Sequence, residues 1–322
     1  MMNPTQKSKS SSPHSTPEQL VDALNAAFGK QQPGVRAVHA KGVNLKGMFR
    51  ASNSARNVGK APHFQQTSTP ITVRFSDFTG LPAIADTDQL ASPRGMAIKF
   101  HLPDGSDTDL IAHSFNGFPV ATSDEFSELL LALASSGPGV TKPSSLDLFL
   151  DSHPIAKHFL ESQIPPPLSY ATVSYFGVNT FKFTNTNGKI TFGRYQIRPI
   201  DGEHSLPEAE VKSAEPDYLS KEIGGRITRG PVKFKLLLQL AEAGDDLDNP
   251  SIAWPDSRPQ VELGILEITQ AVSDNAAAER KLLFLPEALP AGIEAQDPMI
   301  KARQAAYPIS YERRNKPKQV AA

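Results

Sequence analysis

Cysteine is absent from the 322 residues. Disulfides, thiolate-ligated cofactors, cysteine zinc sites and thiol catalysis are therefore all unavailable to this chain. The absence leaves the redox compartment open. Long apolar runs are also missing, and none approaches the roughly 18 residues that a membrane span needs. Lys and Arg number 33 against 34 Asp and Glu, a net charge of -1. Without a basic field, neither nucleic acid nor an anionic membrane surface is an expected partner. The segment Met1 to Ser15 is polar and serine-rich and carries Lys7 and Lys9. It lacks the apolar centre of a secretory signal, so residues 1–16 read as a disordered leader and the protein as cytoplasmic. Residues 316–322 read as a flexible tail. Nothing in the charge or proline distribution divides the rest, so 17–315 is expected to form a single domain with a large core.

What is present falls into two strand-rich halves with helices between them. Thr16-Pro17-Glu18-Gln19 has the form of a helix start, with Thr16 as N-cap and Pro17 in the first turn. Leu20, Val21, Leu24, Ala27 and Phe28 then share a face, and Gly29 offers a stop. Ser52 to Ser68 is irregular and polar. Ile71 to Asp77 alternates, which places Thr72, Arg74 and Ser76 on one face and Val73 and Phe75 on the other. Arg94 to Phe100 reads as a strand, Pro103-Asp104-Gly105 as a hairpin turn and Thr108 to Ser114 as the returning strand.

Helices are expected from a cap at Ser123, and across Ser145 to Ser162 with an interruption at Pro154. Strands resume over Ser169 to Gly177, Asn179 to Asn185 and Lys189 to Pro199, the last two joined by Asn187-Gly188. Glu208 to Ile223 reads as helical, Pro231 as opening another helix through Leu240, and Gln260 to Ala271 as a long strand. Hairpin-connected strands in two sets predict an α+β fold: an antiparallel barrel of about eight strands with surrounding helices. Such a barrel either holds a ligand or fills itself with side chains.

Two stretches carry chemistry. Arg36-Ala37-Val38-His39-Ala40-Lys41-Gly42 has the texture of a short strand, and His39 could take a proton from a bound molecule and return it. A regular strand would point Arg36 and His39 to opposite faces, so a bend or bulge is needed for both to meet one ligand. Near the other end, Asp297-Pro298 starts a helix from Met299 to Tyr307, which Pro308 should disturb. Arg303 and Tyr307 lie one turn apart on it. An arginine there favours the phenolate that a tyrosine–iron bond requires, although a surface arginine packed over a tyrosine ring is the plainer alternative. The remaining histidines, His63, His101, His113, His153, His158 and His204, show no ligand spacing.

Together these stretches resemble the haem site of the catalase superfamily, whose distal histidine sits in "R-x-x-H-A-K-G" and whose proximal tyrosine sits in "R-x-x-x-Y-P". Pro93-Arg94-Gly95-Met96-Ala97-Ile98-Lys99-Phe100 is similar to the family's "P-R-G-x-A-x-K-F", and Asn179-Thr180-Phe181-Lys182 to its "H-T-F-K". The resemblance runs in order from about residue 30 to 315 and implies a catalase-like core holding haem b. Tyr307 would be the axial iron ligand, with Arg303 beside it. Arg36, Arg74 and Arg314 would meet haem propionates. His39 would be the distal acid–base group, hydrogen-bonded by Ser76.

Three departures stand out. Where full-size catalases carry "D-L-V-G-N-N-T-P", this chain has Asp109-Leu110-Ile111-Ala112-His113-Ser114-Phe115-Asn116. Counting without gaps sets Ser114 at the distal asparagine's place, with Asn116 as the catalytic alternative two residues on. The histidine that backs the proximal arginine is Asn179 here. The long N-terminal arm and C-terminal extension, which wrap subunits and narrow the channel, are not seen. The resemblance is therefore to small catalase-related peroxidases. It implies reduction of organic hydroperoxides and hydrogen peroxide by an organic reductant, with weak or no catalase activity. Two rivals are a catalase-like hydroperoxide isomerase of the allene-oxide-synthase type and a non-enzymatic haem or lipophile carrier. A homodimer is left open as the assembly.

Overall fold

The computed structural model describes residues 15–29, 33–162 and 164–316. All of the leader but Ser15 and Thr16, and all of the tail but Lys316, lie outside the described residues. In chain order, α1 (Pro17–Phe28) precedes β1 (Gly42–Ala51), the short helices α2 (Asn53–Val58) and α3 (Pro62–Gln65), and the meander β2 (Thr69–Ser76), β3 (Gly95–His101), β4 (Asp107–His113). Helices α4 (Ser123–Ala134), α5 (Ser145–Ser152) and α6 (Pro154–Glu161) lead to β5 (Tyr175–Thr184) and β6 (Ile190–Pro199). After α7 (Glu208–Val211) and α8 (Tyr218–Arg229) come β7 (Val232–Leu240) and β8 (Gln260–Ala271). The chain then forms α9 (Asn275–Lys281), β9 (Ile293–Ala295) and α10 (Met299–Asn315).

The strands β4-β3-β2-β1-β8-β7-β6-β5 are consecutive antiparallel neighbours, and β4 returns to β5 where His113 faces Phe176. Eight strands thus close on themselves, and β9 adds an edge to β5. Of the two outcomes open to such a barrel, this one fills itself. Phe75 on β2, Tyr175 on β5 and Phe234 on β7 belong to strands that are not neighbours, yet their ring centroids lie 5.8–6.1 Å apart. They meet across the interior with Leu45, Phe49 and Ile71, all essentially without exposure. The opposite face of β2, carrying Arg74 and Ser76, points into a cavity outside the barrel. Helices α1, α4 and α10 cover that face, joined by Leu20, Val21, Ala23, Leu130 and Ala306. A reciprocal capping box starts α1, Thr16 N donating to Gln19 Oε1 at 2.8 Å and Gln19 N to Thr16 Oγ1 at 3.3 Å.

Several sequence expectations are corrected. Residues 232–240 are a strand: Val232, Phe234, Leu236 and Leu238 are buried while Lys233 and Lys235 are exposed, a period of two that overrides the helix-opening Pro231. Residues 36–41 form bends instead of a strand. The segment read as irregular contains α2 and α3, and α4 is capped by Thr122, one residue before Ser123. Pro308 does not end α10, which continues to Asn315. No described helix is long and apolar enough to cross a membrane.

One buried histidine tests the core. His63 packs its ring against Phe49, Phe64 and Phe100 with centroids 4.2–6.2 Å away, and its Nδ1 has no partner. Burial lowers its pKa to about 3. Below the usual pH of about 6.5 the unfolded chain takes up a proton that folded His63 refuses, so stability falls as pH drops from there toward 3. His63→Leu should remove about 1.4 kcal/mol per pH unit from this acid slope, measured by urea unfolding between pH 4 and 6.

Candidate active site

One wall of the cavity is built by a strained turn. His39 has φ 55°, the single positive value among described non-glycine residues. That left-handed conformation costs on the order of 1–2 kcal/mol. Two backbone hydrogen bonds hold it, His39 N to Phe78 O at 2.7 Å and Ala40 N to Thr79 O at 3.0 Å. The turn resolves the strand geometry problem, since Arg36, Ala37, Val38 and His39 all line the same cavity.

The His39 ring is held by one nitrogen. Nδ1 lies 3.1 Å from the Asp77 carbonyl oxygen and 3.1 Å from Ser76 Oγ. A carbonyl only accepts, so Nδ1 carries the proton and Nε2 keeps its lone pair. Burial, followed by the nearby Arg74 and His113, lowers the imidazole pKa to about 3. The ring is therefore a neutral base at ordinary pH. Gly95 allows this approach: a Cβ there would stand 2.6 Å from Ser76 Oγ and 2.8 Å from His39 Nδ1. The Asp77 carboxylate is clamped in turn by Arg94 and by Tyr170 OH at 3.0 Å. Burial, opposed by Arg94, pushes that carboxyl up to about 6.

The end of β4 brings a different residue to the cavity from those expected. Ser114 is buried and accepts from Arg94 N at 2.8 Å, and neither it nor Asn116 lines the cavity. The β4 strand ends one residue earlier, and its last residue, His113, reaches the cavity instead. Phe115 N donates to His113 Nδ1 at 3.4 Å, which leaves the proton on Nε2, a buried donor without a partner. Burial, then Arg303, keeps this ring neutral with its pKa lowered to about 3. His113 had shown no ligand spacing, and its placement depends on where β4 ends.

Helix α10 builds the facing wall. Arg303, Ala306, Tyr307, Ser310 and Arg314 recur at helical spacing and all line the cavity. Because the helix passes through Pro308, Arg314 stands two turns beyond Tyr307 on the same face. Arg303 directs Nε and Nη2 to Tyr307 Oη at 3.1 and 2.9 Å. Its Nη1 donates to Asn179 Oδ1, and Asn179 Nδ2 donates to Asp297 Oδ2 at 2.6 Å. A register shift in β5 between Gly177 and Phe181 frees Asn179 for this contact.

Three guanidinium groups meet at the cavity's edge around one carboxylate. Arg74 Nε lies 2.6 Å and Arg36 Nε 3.1 Å from Glu279. Arg36 and Arg314 both donate to Leu282 O, at 2.8 and 2.7 Å, while Arg314 Nε is buried and unpartnered. Burial and the charge of Arg74 lower Arg36 to about 9 and Arg314 to about 10. Although burial opposes it, Arg74 and Arg36 draw the Glu279 carboxyl down to about 2. Glu279, which no motif singled out, lies on α9 after β8 and is brought to Arg36 and Arg74 only by the closed barrel.

The barrel with its outside cavity defines the class: the fold is that of the catalases. A fungal catalase structure superposes with a TM-score of 0.78 at 22% identity, covering 89% of this chain and 61% of that one. Catalase A from Saccharomyces cerevisiae gives 0.78 at 21%, covering 88% and 62%. The family model described as Catalase matches residues 5–318, and the chain belongs to the catalase family. A "Catalase-related peroxidase" of Synechococcus elongatus is 35% identical over 306 residues, 94% of this chain and 89% of the relative. One from Mycolicibacterium paratuberculosis is 35% identical over 93% of this chain and 95% of its own. Against "Catalase-2" of Bacillus subtilis the identity is 29%, and the match spans 44% of that protein.

Membership of this family implies haem binding, and the residues fit such a group. The cavity offers about 210 Å³ of accessible space and opens to solvent at its mouth. Its edge has two guanidinium charges in excess and an orphaned Arg314 Nε, a demand that carboxylates such as propionates satisfy. Its walls offer a tyrosine under a guanidinium fork and two neutral histidines. Glu279→Gln removes the one anion now balancing these arginines. It should lower the stability of the haem-free protein by about 3 kcal/mol, read from urea unfolding at pH 7.

Proposed function

We propose that the protein is a haem-dependent peroxidase that reduces organic hydroperoxides and hydrogen peroxide with an organic electron donor. The carrying observation is a single cavity that joins the neutral, one-sidedly held His39 to the Arg303-clamped Tyr307. The names of two relatives matched over most of their length support the same reading. Overall, ROOH takes two electrons and two protons and becomes ROH and water.

In this reading Tyr307 would hold the iron of haem b, and Arg36, Arg74 and Arg314 would hold its propionates. The haem supplies the iron redox chemistry of peroxide cleavage, as cofactors do generally. The chain supplies position and protons. His39 Nε2 takes the proton from the peroxide's hydroxyl end and returns it to the outer oxygen as that oxygen leaves, while Asp77 O and Ser76 Oγ keep the ring oriented. His113 Nε2–H, rather than Ser114 or Asn116, is the second distal donor and orients the peroxide. On the proximal side the two Arg303 N–H groups converge on Tyr307 Oη, the arrangement that holds a phenolate by charge-assisted hydrogen bonds. Asn179 is a neutral link between Arg303 and Asp297, so it fixes the guanidinium without moving a proton. The organic donor, the cytoplasmic location and a homodimer belong to the same reading and rest on the sequence.

Tyr307→Phe should lose most bound haem or its ferric absorption spectrum; an unchanged holoprotein spectrum would remove Tyr307 as ligand. His39→Ala should keep haem and lose about 10²–10⁴-fold in kcat/KM for peroxide. Because His39 stays neutral down to about pH 3, the parent's kcat/KM should be flat between pH 5 and 8 as far as this base sets it. Donor oxidation and oxygen release are measured on one preparation, with donor oxidation expected to dominate. Oxygen evolution in large excess would mark a catalase, and a rearranged hydroperoxide without donor consumption would mark an isomerase.

A further inference from the structure

We propose that the Asp77 side chain is a proton-sensing positioning residue for His39: ionised, it keeps the imidazole oriented, and protonated, it slackens that hold. The proposal rests on the peroxidase reading and adds a control of the same site. Asp77 belongs to two networks at once. Its backbone carbonyl lies 3.1 Å from His39 Nδ1 and accepts that proton. Its carboxyl is fully buried and does not line the cavity. Whatever moves the carboxyl therefore moves the carbonyl that orients the ring.

The surroundings of the carboxyl suit a group that changes charge. Oδ1 accepts from Arg94 and from Tyr170 Oη, the latter at 3.0 Å. Oδ2 is buried, meets no hydrogen-bond donor among the described residues, and lies 3.9 Å from Lys41 Nζ. That ammonium is already engaged by Asp86, by Ile84 O at 2.9 Å and by Pro216 O at 2.6 Å. Asp86, also without exposure, thus brings a second buried carboxylate to the same lysine. A proton on Asp77 Oδ2 removes one of these two like charges. Burial favours that neutral form most, Arg94 opposes it, and Asp86 adds to burial, which leaves the carboxyl at about 6. Tyr170, Tyr175 and Tyr218 face the same group, and burial keeps all three phenols protonated. His39 stays neutral down to about pH 3. A pH limb near 6 therefore belongs to Asp77 and not to the imidazole. Ionised Asp77 draws Arg94 and Tyr170 by charge-assisted hydrogen bonds, and protonation reduces the Tyr170 bond to the weaker neutral kind.

The test follows haem-loaded protein from about pH 5 to 7.5. In the parent, kcat/KM for hydrogen peroxide should rise at least ~5-fold through about pH 6. Hydrogen cyanide stays protonated across this range and gives its proton to the same base, so its capture rate should rise in step. A protonated-carboxyl stretch in the infrared difference spectrum should vanish over the same interval. Asp77→Asn, fixed in the neutral form, should stay flat at the parent's acid-side rates and lack the infrared band. Tyr170→Phe keeps the ring that stacks on Phe75 and removes one donor from the ionised carboxylate. Its limb should move up by ~0.5 pH unit or more. A parent without the limb overturns the role of Asp77. So does a limb that persists unchanged in Asp77→Asn or, where that variant does not fold, in Tyr170→Phe. A cyanide limb that tracks the infrared band, with no peroxide turned over at any pH, overturns the peroxidase reading and leaves the switch standing.

Discussion

Three guanidinium groups crowded against one carboxylate, largely out of water, are the condition on which this site depends. Arg36, Arg74 and Arg314 come from a turn, a strand and the last helix, and Glu279 comes from a fourth element. Left to themselves such charges would repel, and their burial would cost several kcal/mol. The barrel makes the arrangement tolerable by supplying β2 as a rigid edge. Its inner face, with Val73 and Phe75 fully buried, anchors the strand whose outer face carries Arg74 and Ser76. The cationic edge thus stands on a strand that the core cannot release.

The His39 side of the cavity shows a similar division of labour. His39 is held in a backbone conformation that no other described non-glycine residue adopts, and its support runs outward through Asp77 to Arg94 and Tyr170. Tyr170 stacks on Phe75 with centroids 5.3 Å apart. The position of the imidazole is therefore tied, through two residues, to the packing of the barrel interior. This is how a turn can be as exact as a strand in placing a side chain.

The architecture was largely legible because most strands alternate and most helices announce their caps. Legibility failed where local signals conflicted with the tertiary environment. Pro231 suggested a helix, but the alternation of Val232, Phe234, Leu236 and Leu238 against lysines decided for a strand. The stretch around His39 has strand-like composition, and composition cannot reveal a positive φ. Within the site, Arg36, His39, Arg74, Ser76, Arg303, Tyr307 and Arg314 were legible as motif positions, and all line one cavity. Glu279 and His113 were not, because each reaches the site only through folding: one across the sheet, the other by the point at which β4 ends. Counting without gaps pointed to Ser114, with Asn116 as the alternative, and neither lines the cavity, because Ser114 is drawn to Arg94 N just before β3.

The two halves of the cavity come from opposite ends of the chain, the turn at 36–39 and the helix at 299–315. Strand pairing follows the same logic, since β1 can find β8 only after nearly the whole barrel exists. Such long-range closure is slow, because loop entropy must be overcome before any contact rewards it. During synthesis, the turn at 36–39 has no opposite wall until α10 emerges. The cavity is thus completed late, and a chain truncated before α10 lacks the wall that carries Arg303 and Tyr307.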